Sequence, residues 1–164
     1  ALLDLLENRQ GRLHVTSALA FGTNSFLGSD ESRFRELFGI DEVFVAPDGG
    51  TNWSMSQSDT VQAAVHPGLS FFRYLSIGLR AVMDCMAPVA GGSAQSVYFY
   101  PPSKFVRGGF TNPTQFDVGI VNSVAGGGRT GIVTFPLGLP INTNMGENEV
   151  EIRELLRLVG ILDP

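Results

Sequence analysis

Four groups of residues in this chain have types and spacings that could carry chemistry. The first, "GGGRTG" (126–131), spells G-x-G-x-x-G. A dinucleotide cradle needs those glycines between a strand and a helix N-terminus, so that the helix end meets the pyrophosphate. Here "IVTF" follows, a strand-forming sequence, and no Lys stands where a phosphate-binding loop needs one. The stretch is read as a hairpin loop. The second group is Cys85 with His66 or His14, a potential thiolate–imidazole pair. A nucleophilic Cys needs a partly exposed setting that lowers its pKa. Cys85 instead lies in an apolar run with Met83 and Met86, which predicts a buried structural thiol.

The third group is carboxylates: Asp30, Glu31, Asp41 and Glu42, and then Glu147, Glu149, Glu151 and Glu154. Both sets sit near predicted helix starts, where negative charge suits the helix dipole. Nothing selects a catalytic pair among them. With two His, one Cys and no ligand cluster, neither a metal nor another cofactor is expected. His66 precedes Pro67-Gly68 at a turn, where helix entry is the default role and pH sensing the functional alternative. The fourth group, "SVYFYPPSKFVRGGF" (96–110), sets Tyr98, Phe99, Tyr100, Phe105 and Phe110 near Lys104 and Arg107. Such interleaving can stack single-stranded bases. It is also what protein interfaces use. The net charge of −5 favours core plus interface. Asn52-Trp53-Ser54 fits a glycosylation sequon, a triplet common by chance.

These groups need a scaffold. Leu2, Leu3, Leu5 and Leu6 make a short helix or an apolar arm over residues 1–12. "HVTSALAF" (14–21) reads as a strand with Val15, Ser17, Leu19 and Phe21 on one face. Phe34, Leu37 and Phe38 fall at i, i+3, i+4, which predicts a helix over 31–38 with Gly39 as its C-terminal cap. "DEVFVAP" (41–47) is a predicted strand. Residues 51–68 are read as a long polar loop, with a short strand near Val61–Val65. Further strands are predicted at "SVYFYPP", "TQFDVGIVNSV" and "TGIVTFPLGLP". The clearest helix is Glu149–Val159, with Ile152, Leu155, Leu156 and Val159 on one side and a Glu149–Arg153 pair.

"LSFFRYLSIGLRAVMDCM" (69–86) is the most apolar stretch. It is barely long enough for a bilayer, and Arg73, Arg80 and Asp84 within it argue against a membrane span. As one helix it would pair Arg80 with Asp84 at i, i+4 and carry Gly78 at a cost of about 1 kcal/mol. The favoured alternative breaks near Gly78 into a helix (69–77) and a strand (79–86).

The chain has 164 residues, 43% hydrophobic and only 16% charged. Average soluble domains carry roughly 25% charged residues. A surface this poor in charge suggests cover by another subunit. The acidic balance, with Lys104 the only Lys among eleven basic residues, disfavours a dedicated nucleic-acid binder. Strands follow strands without regular helical crossovers. The expected fold is mainly β with short helices (β or α+β): one domain over 1–164, an antiparallel β sandwich or jelly roll with inserted helices.

Several stretches together resemble capsid proteins of picorna-like viruses. They are "SRFRELF" (32–38) after a first strand, "HPGLSFFRYLSIGLRAVM" (66–83) as an aromatic-led second helix, and "IVTFPLGLPIN" (132–142) as a late strand. "LFGIDEVFVA" (37–46) also loosely resembles a segment of tailed-phage shell proteins. The first resemblance implies a jelly-roll shell subunit cut from a polyprotein, which fits Ala1 in place of Met. It also implies location in a virion, with nucleic acid only as enclosed cargo.

The expected function is a structural, self-assembling subunit with homo- or hetero-oligomeric protein partners. Its candidate interface residues are Leu2, Leu3, Leu5, Leu6, Trp53, Tyr98, Tyr100, Phe105 and Phe110. Two alternatives stand beside it. One is a small cytoplasmic hydrolase or transferase centred on Cys85 or a carboxylate. The other is a carbohydrate- or peptide-binding β sandwich that uses Trp53 or the tyrosines of 98–100 as platforms.

Overall fold

The computed structural model describes residues 2–17, 20–21, 30–45, 52–54, 60–63, 72–73, 82–100, 103–106, 110–112, 115–134 and 145–163. In chain order the elements are α1 (Leu2–Asn8), β1 (Arg12–Thr16), α2 (Glu31–Phe38), β2 (Ile40–Val43), β3 (Asn52–Ser54), β4 (Thr60–Ala63) and β5 (Phe72–Arg73). They continue as β6 (Val82–Asp84), β7 (Met86–Pro88), β8 (Gln95–Tyr100), β9 (Ser103–Val106), β10 (Phe110–Asn112), β11 (Phe116–Ser123), β12 (Arg129–Val133) and α3 (Met145–Val159).

The main sheet runs β1-β12-β11-β8-β4-β5, with β7 also on β11 and β2 on β7; β3–β6 and β9–β10 form two separate ribbons. The chain is mainly β, as expected, but the sheet is mixed. β1 lies parallel to β12, pairing Arg12 with Arg129 through Thr16 with Val133, while the other pairs are antiparallel. A tight hairpin forces antiparallel neighbours, as at β11–β12. Most of the chain separates β1 from β12, so no hairpin dictates their direction.

A helix covers each face of the sheet, and alternation along β12 shows how. The Thr130 hydroxyl donates to the Leu37 carbonyl at the end of α2 (2.8 Å), and Ile132 joins Leu6, Phe21, Leu37, Phe38, Ile40, Met86 and Ile120 in one buried cluster. Gly131, between them, faces the other way. A Cβ there would stand 2.4 Å from Val159 Cγ2 of α3. Leu155 and Val159 are buried against this second face. Strands covered on both sides lose clean alternation. In β8, Val97 and Tyr98 are both buried, and in β11 so are Phe116, Val118, Gly119 and Ile120.

Helix α2 matches its predicted span. Phe34 and Phe38 stack at 4.7 Å, and Leu37 and Phe38 are buried. Gly39 ends it at φ 67°, its N–H returning to the carbonyls of Arg35 and Glu36. That left-handed conformation costs an L-residue roughly 1–2 kcal/mol, so Gly is required. Helix α1 docks on the chain's own core: Leu6 is fully buried, and Arg33 of α2 pairs with Glu7. The β11–β12 hairpin passes directly beneath it, at Gly126 (φ 92°), where a Cβ would fall 1.9 Å from the Glu7 carbonyl oxygen. Residues 2–8 are therefore a packed helix.

Three expectations need correction. Phe72–Arg73 is strand β5, paired with Thr60–Val61, so a helix over 69–77 does not hold at those two residues. An apolar run has the same local signal as helix or strand, and here sheet pairing decides. The favoured strand over 79–86 holds where it is described, as β6 and the start of β7, and the one-helix alternative with its Arg80–Asp84 pair falls away; residues 79–81 lie outside the described residues. Within 51–68, β4 matches the short strand expected near Val61–Val65, while β3 is a second strand that the loop reading lacks. The first strand ends at Thr16; of its predicted extension, 18–19 lie outside the described residues, while Phe21 is buried in a bend.

Candidate functional site

Among the described residues, Asp84, Cys85 and Asp117 form a group of ionisable side chains inside the fold, next to the pairing of β7 with β11. Asp84 is fully buried. Its Oδ2 accepts the backbone N–H groups of Ala20 (2.8 Å) and Phe21 (3.0 Å). The Thr134 hydroxyl donates to its carbonyl oxygen at 2.5 Å and also reaches that of Val118. A buried carboxylate with two backbone donors is anchored, because charge-assisted bonds of this kind are about twice as strong as neutral ones. It fixes residues 20–21, past the end of β1, to β6.

Cys85 is fully buried beside it. Burial pushes its thiol well above the ordinary value, and the carboxylates of Asp84 and Asp117 add to the effect. Nucleophilic chemistry needs the opposite shift. Cys85 is therefore a structural residue, as its apolar setting predicts, and the enzyme alternative loses its best-defined nucleophile. Asp117 is half-buried and takes a hydrogen bond from the Ser96 hydroxyl. Burial raises its pKa, and the Ser96 bond offsets part of that rise.

A second polar group surrounds the end of α2. Leu37 O accepts from Asn122 Nδ2 (2.9 Å) as well as from Thr130, while Ser93 Oγ donates to Asn122 Oδ1 (2.7 Å). Helix ends leave carbonyls unpaired, and these side chains satisfy one from the sheet. Above them lies a cavity of about 260 Å³ lined by Glu7, Arg33, Glu36, Ser93 and Asn122, among others. Arg33 bridges Glu7 and Glu36, so its charge is spent within the protein. The volume falls just below the roughly 300–1,000 Å³ of small-molecule pockets.

Sequence reasoning missed Asp84, Asn122 and Thr130 as interior anchors. The available signal was an acid in "AVMDCM" and polar residues inside otherwise apolar strands. The glycines of "GGGRTG" form a hairpin turn closed by Val124 N–H to Gly128 O at 2.8 Å, and its Arg129–Gly131 already belong to β12, so the stretch is a hairpin as expected. His14 lies on β1 with Nε2 3.1 Å from Thr16 Oγ1 and no partner for its buried Nδ1. His66 lies outside the described residues. Asp30, Glu31, Asp41 and Glu42 cluster around α2, far in sequence from Glu149 and Glu154 of α3. No group of three or more His, Cys, Asp or Glu side chains that could hold a metal ion occurs among the described residues.

Of the candidate interface residues, two are corrected. Leu6 and Tyr98 are fully buried in this chain's own core, Leu6 under α2 and Tyr98 across from Gly119. Neither can meet a partner or a sugar. Leu5 is 42% exposed and remains available. The side chains of Leu2, Leu3, Trp53, Tyr100, Phe105 and Phe110 lie outside the described residues; their backbones belong to α1, β3, β8, β9 and β10. Among the described residues, no helix is long and apolar enough to cross a membrane.

In comparisons with known proteins, no family model, no curated protein and no solved structure matches this chain.

Proposed function

We propose that this chain is a structural, self-assembling subunit, most naturally of a viral capsid. The observation that carries the proposal is the distribution of charge. Residues 44–128 hold only Asp48, Asp59, Arg73, Arg80, Asp84, Lys104, Arg107 and Asp117 as charged side chains. Asp84 is buried and Asp117 half-buried, so even fewer of these reach the surface. More than half of the chain therefore offers little charge to water. Protein interfaces have charge-depleted centres. The aromatic candidates Trp53, Tyr100, Phe105 and Phe110 belong to this stretch.

The interior supports a scaffold role. Asp84, Asn122, Thr130 and Thr134 each bond to backbone far away in the chain. In the finer reading, a sandwich or jelly roll, the β3–β6 and β9–β10 ribbons belong to a second sheet. The partners are copies of this chain or related subunits, with nucleic acid only enclosed and the virion as the location. Interfaces of order 2,000 Å² or more per subunit in total are expected.

Light scattering coupled to size exclusion, at several salt concentrations, tests this reading. Megadalton particles or a discrete ring are expected. A monomer near 17.6 kDa at every salt concentration would overturn it.

A further inference from the structure

We propose that His14 is a pH-operated latch for the C-terminal helix: its neutral ring lets α3 seat on β1 and β12, and its protonation drives α3 away. This holds whether or not the chain assembles.

The geometry begins with register. His14 on β1 pairs directly with Gly131 on β12. Leu13 and Val15 pack toward the α2 side, so His14 takes the opposite face, the one α3 covers. The space above Gly131 is shared by Val159 Cγ2 and His14 Nδ1, which would stand 2.4 and 3.1 Å from a Cβ there. Val159 is fully buried. The imidazole thus lies in the seam between sheet and helix.

Its two nitrogens are not equivalent. Nε2 is 3.1 Å from the Thr16 hydroxyl, which can donate or accept. Nδ1 is buried and has no hydrogen-bond partner. The neutral ring can leave only a lone pair there. The imidazolium must place an N–H and positive charge at Nδ1, against Val159 and glycine backbone. An unpaired buried charge is far costlier than an unpaired buried lone pair.

Among the described residues, the surrounding charges do not relieve it. On β1, Arg12 is bound to the carbonyls of Gln10, Gly11 and Gly127. On β12, Arg129 donates to Leu158 O. On α3, Arg153 pairs with Glu149 and Arg157 with Glu154; the side chains of Glu147 and Glu151 lie outside the described residues. Burial is what lowers the pKa of His14. The sign follows: the undocked state binds the proton better. Docking is at full strength above about pH 6.5 and weakens as pH falls below it, by up to about tenfold per pH unit.

Hydrogen exchange read by mass spectrometry tests the latch on the full chain at pH 7.5, 6.5 and 5.5, corrected for intrinsic rates. In the native chain, exchange in 145–159 should rise up to about tenfold per pH unit below 6.5 while 116–133 stays protected. In His14→Gln the rise should vanish, with His66 left as an internal control. Three results would each overturn the proposal: no rise in the native chain, the same rise in His14→Gln, or equal loosening of helix and sheet. If His14→Gln does not fold, NMR titration of the native imidazole decides. A midpoint below 6.5 with α3 amide shifts moving in step supports the latch. A midpoint at or above 6.5, or titration that leaves α3 unmoved, refutes it.

Discussion

The contact between Gly131 and Val159 can be tested by a double-mutant cycle. Gly131→Ala adds one methyl group, and its carbon would stand 2.4 Å from Val159 Cγ2. Something must move, and overpacking of this kind costs typically 1–3 kcal/mol. The loss of unfolded-chain freedom on replacing Gly offsets about 0.4–1 kcal/mol. Val159→Ala removes two buried methyl groups, each about 0.8 kcal/mol in transfer, plus a cavity term, for a total of about 2–3 kcal/mol. In the double variant the added methyl group enters the space that the valine leaves. The remaining close contact, 3.1 Å to His14 Nδ1, is relieved by a shift of a few tenths of an ångström. The pair should therefore be more stable than the sum of the single losses predicts, by about 1–2 kcal/mol. Urea unfolding followed by far-UV circular dichroism measures this, with the slope checked for constancy. If the two losses add within about 0.5 kcal/mol, the residues do not touch, and the assignment of α3 to that face of β12 fails.

Three further outcomes follow from the buried polar groups. Asp84→Ala strands the N–H groups of Ala20 and Phe21 and should cost about 2–5 kcal/mol in urea unfolding, whereas Asp84→Asn, which keeps an acceptor, should cost clearly less; equal losses would refute the anchor. Asp117 has a raised pKa, so the native state holds its proton more tightly than the unfolded chain and stability is lost as pH rises through its folded pKa. Asp117→Asn, which can still accept from Ser96, should therefore be more stable than the native chain at pH 7, with the difference closing below about pH 3.8; an unchanged or lower midpoint at pH 7 contradicts this. The Cys85 thiol should resist a thiol reagent at pH 8 in the native state and react fully in denaturant, while rapid native labelling would reopen it as a reactive residue.

The sequence by itself determined what depends on near neighbours. Residues 31–38 carry a 3.6-residue period and end at a glycine, so α2 and its Gly39 cap were legible. The same holds for the Glu149–Val159 part of α3, for the hairpin at 126–131, and for the buried state of Cys85 in its apolar run. Only the tertiary structure decided the rest. The parallel pairing of β1 with β12 joins strands from opposite ends of the chain, and no local pattern encodes its direction. Phe72–Arg73 is strand because β4 offers backbone partners that helical periodicity cannot foresee. Leu6 and Tyr98 look like interface residues in a linear reading, yet the sheet and its helices close over both. Asp84 and His14 gain their character from groups far away in the chain: two backbone amides more than sixty residues earlier for one, and Val159 of the last helix for the other. Burial and the pairing of buried polar groups are properties of the packed chain, and they are what give these two residues their roles.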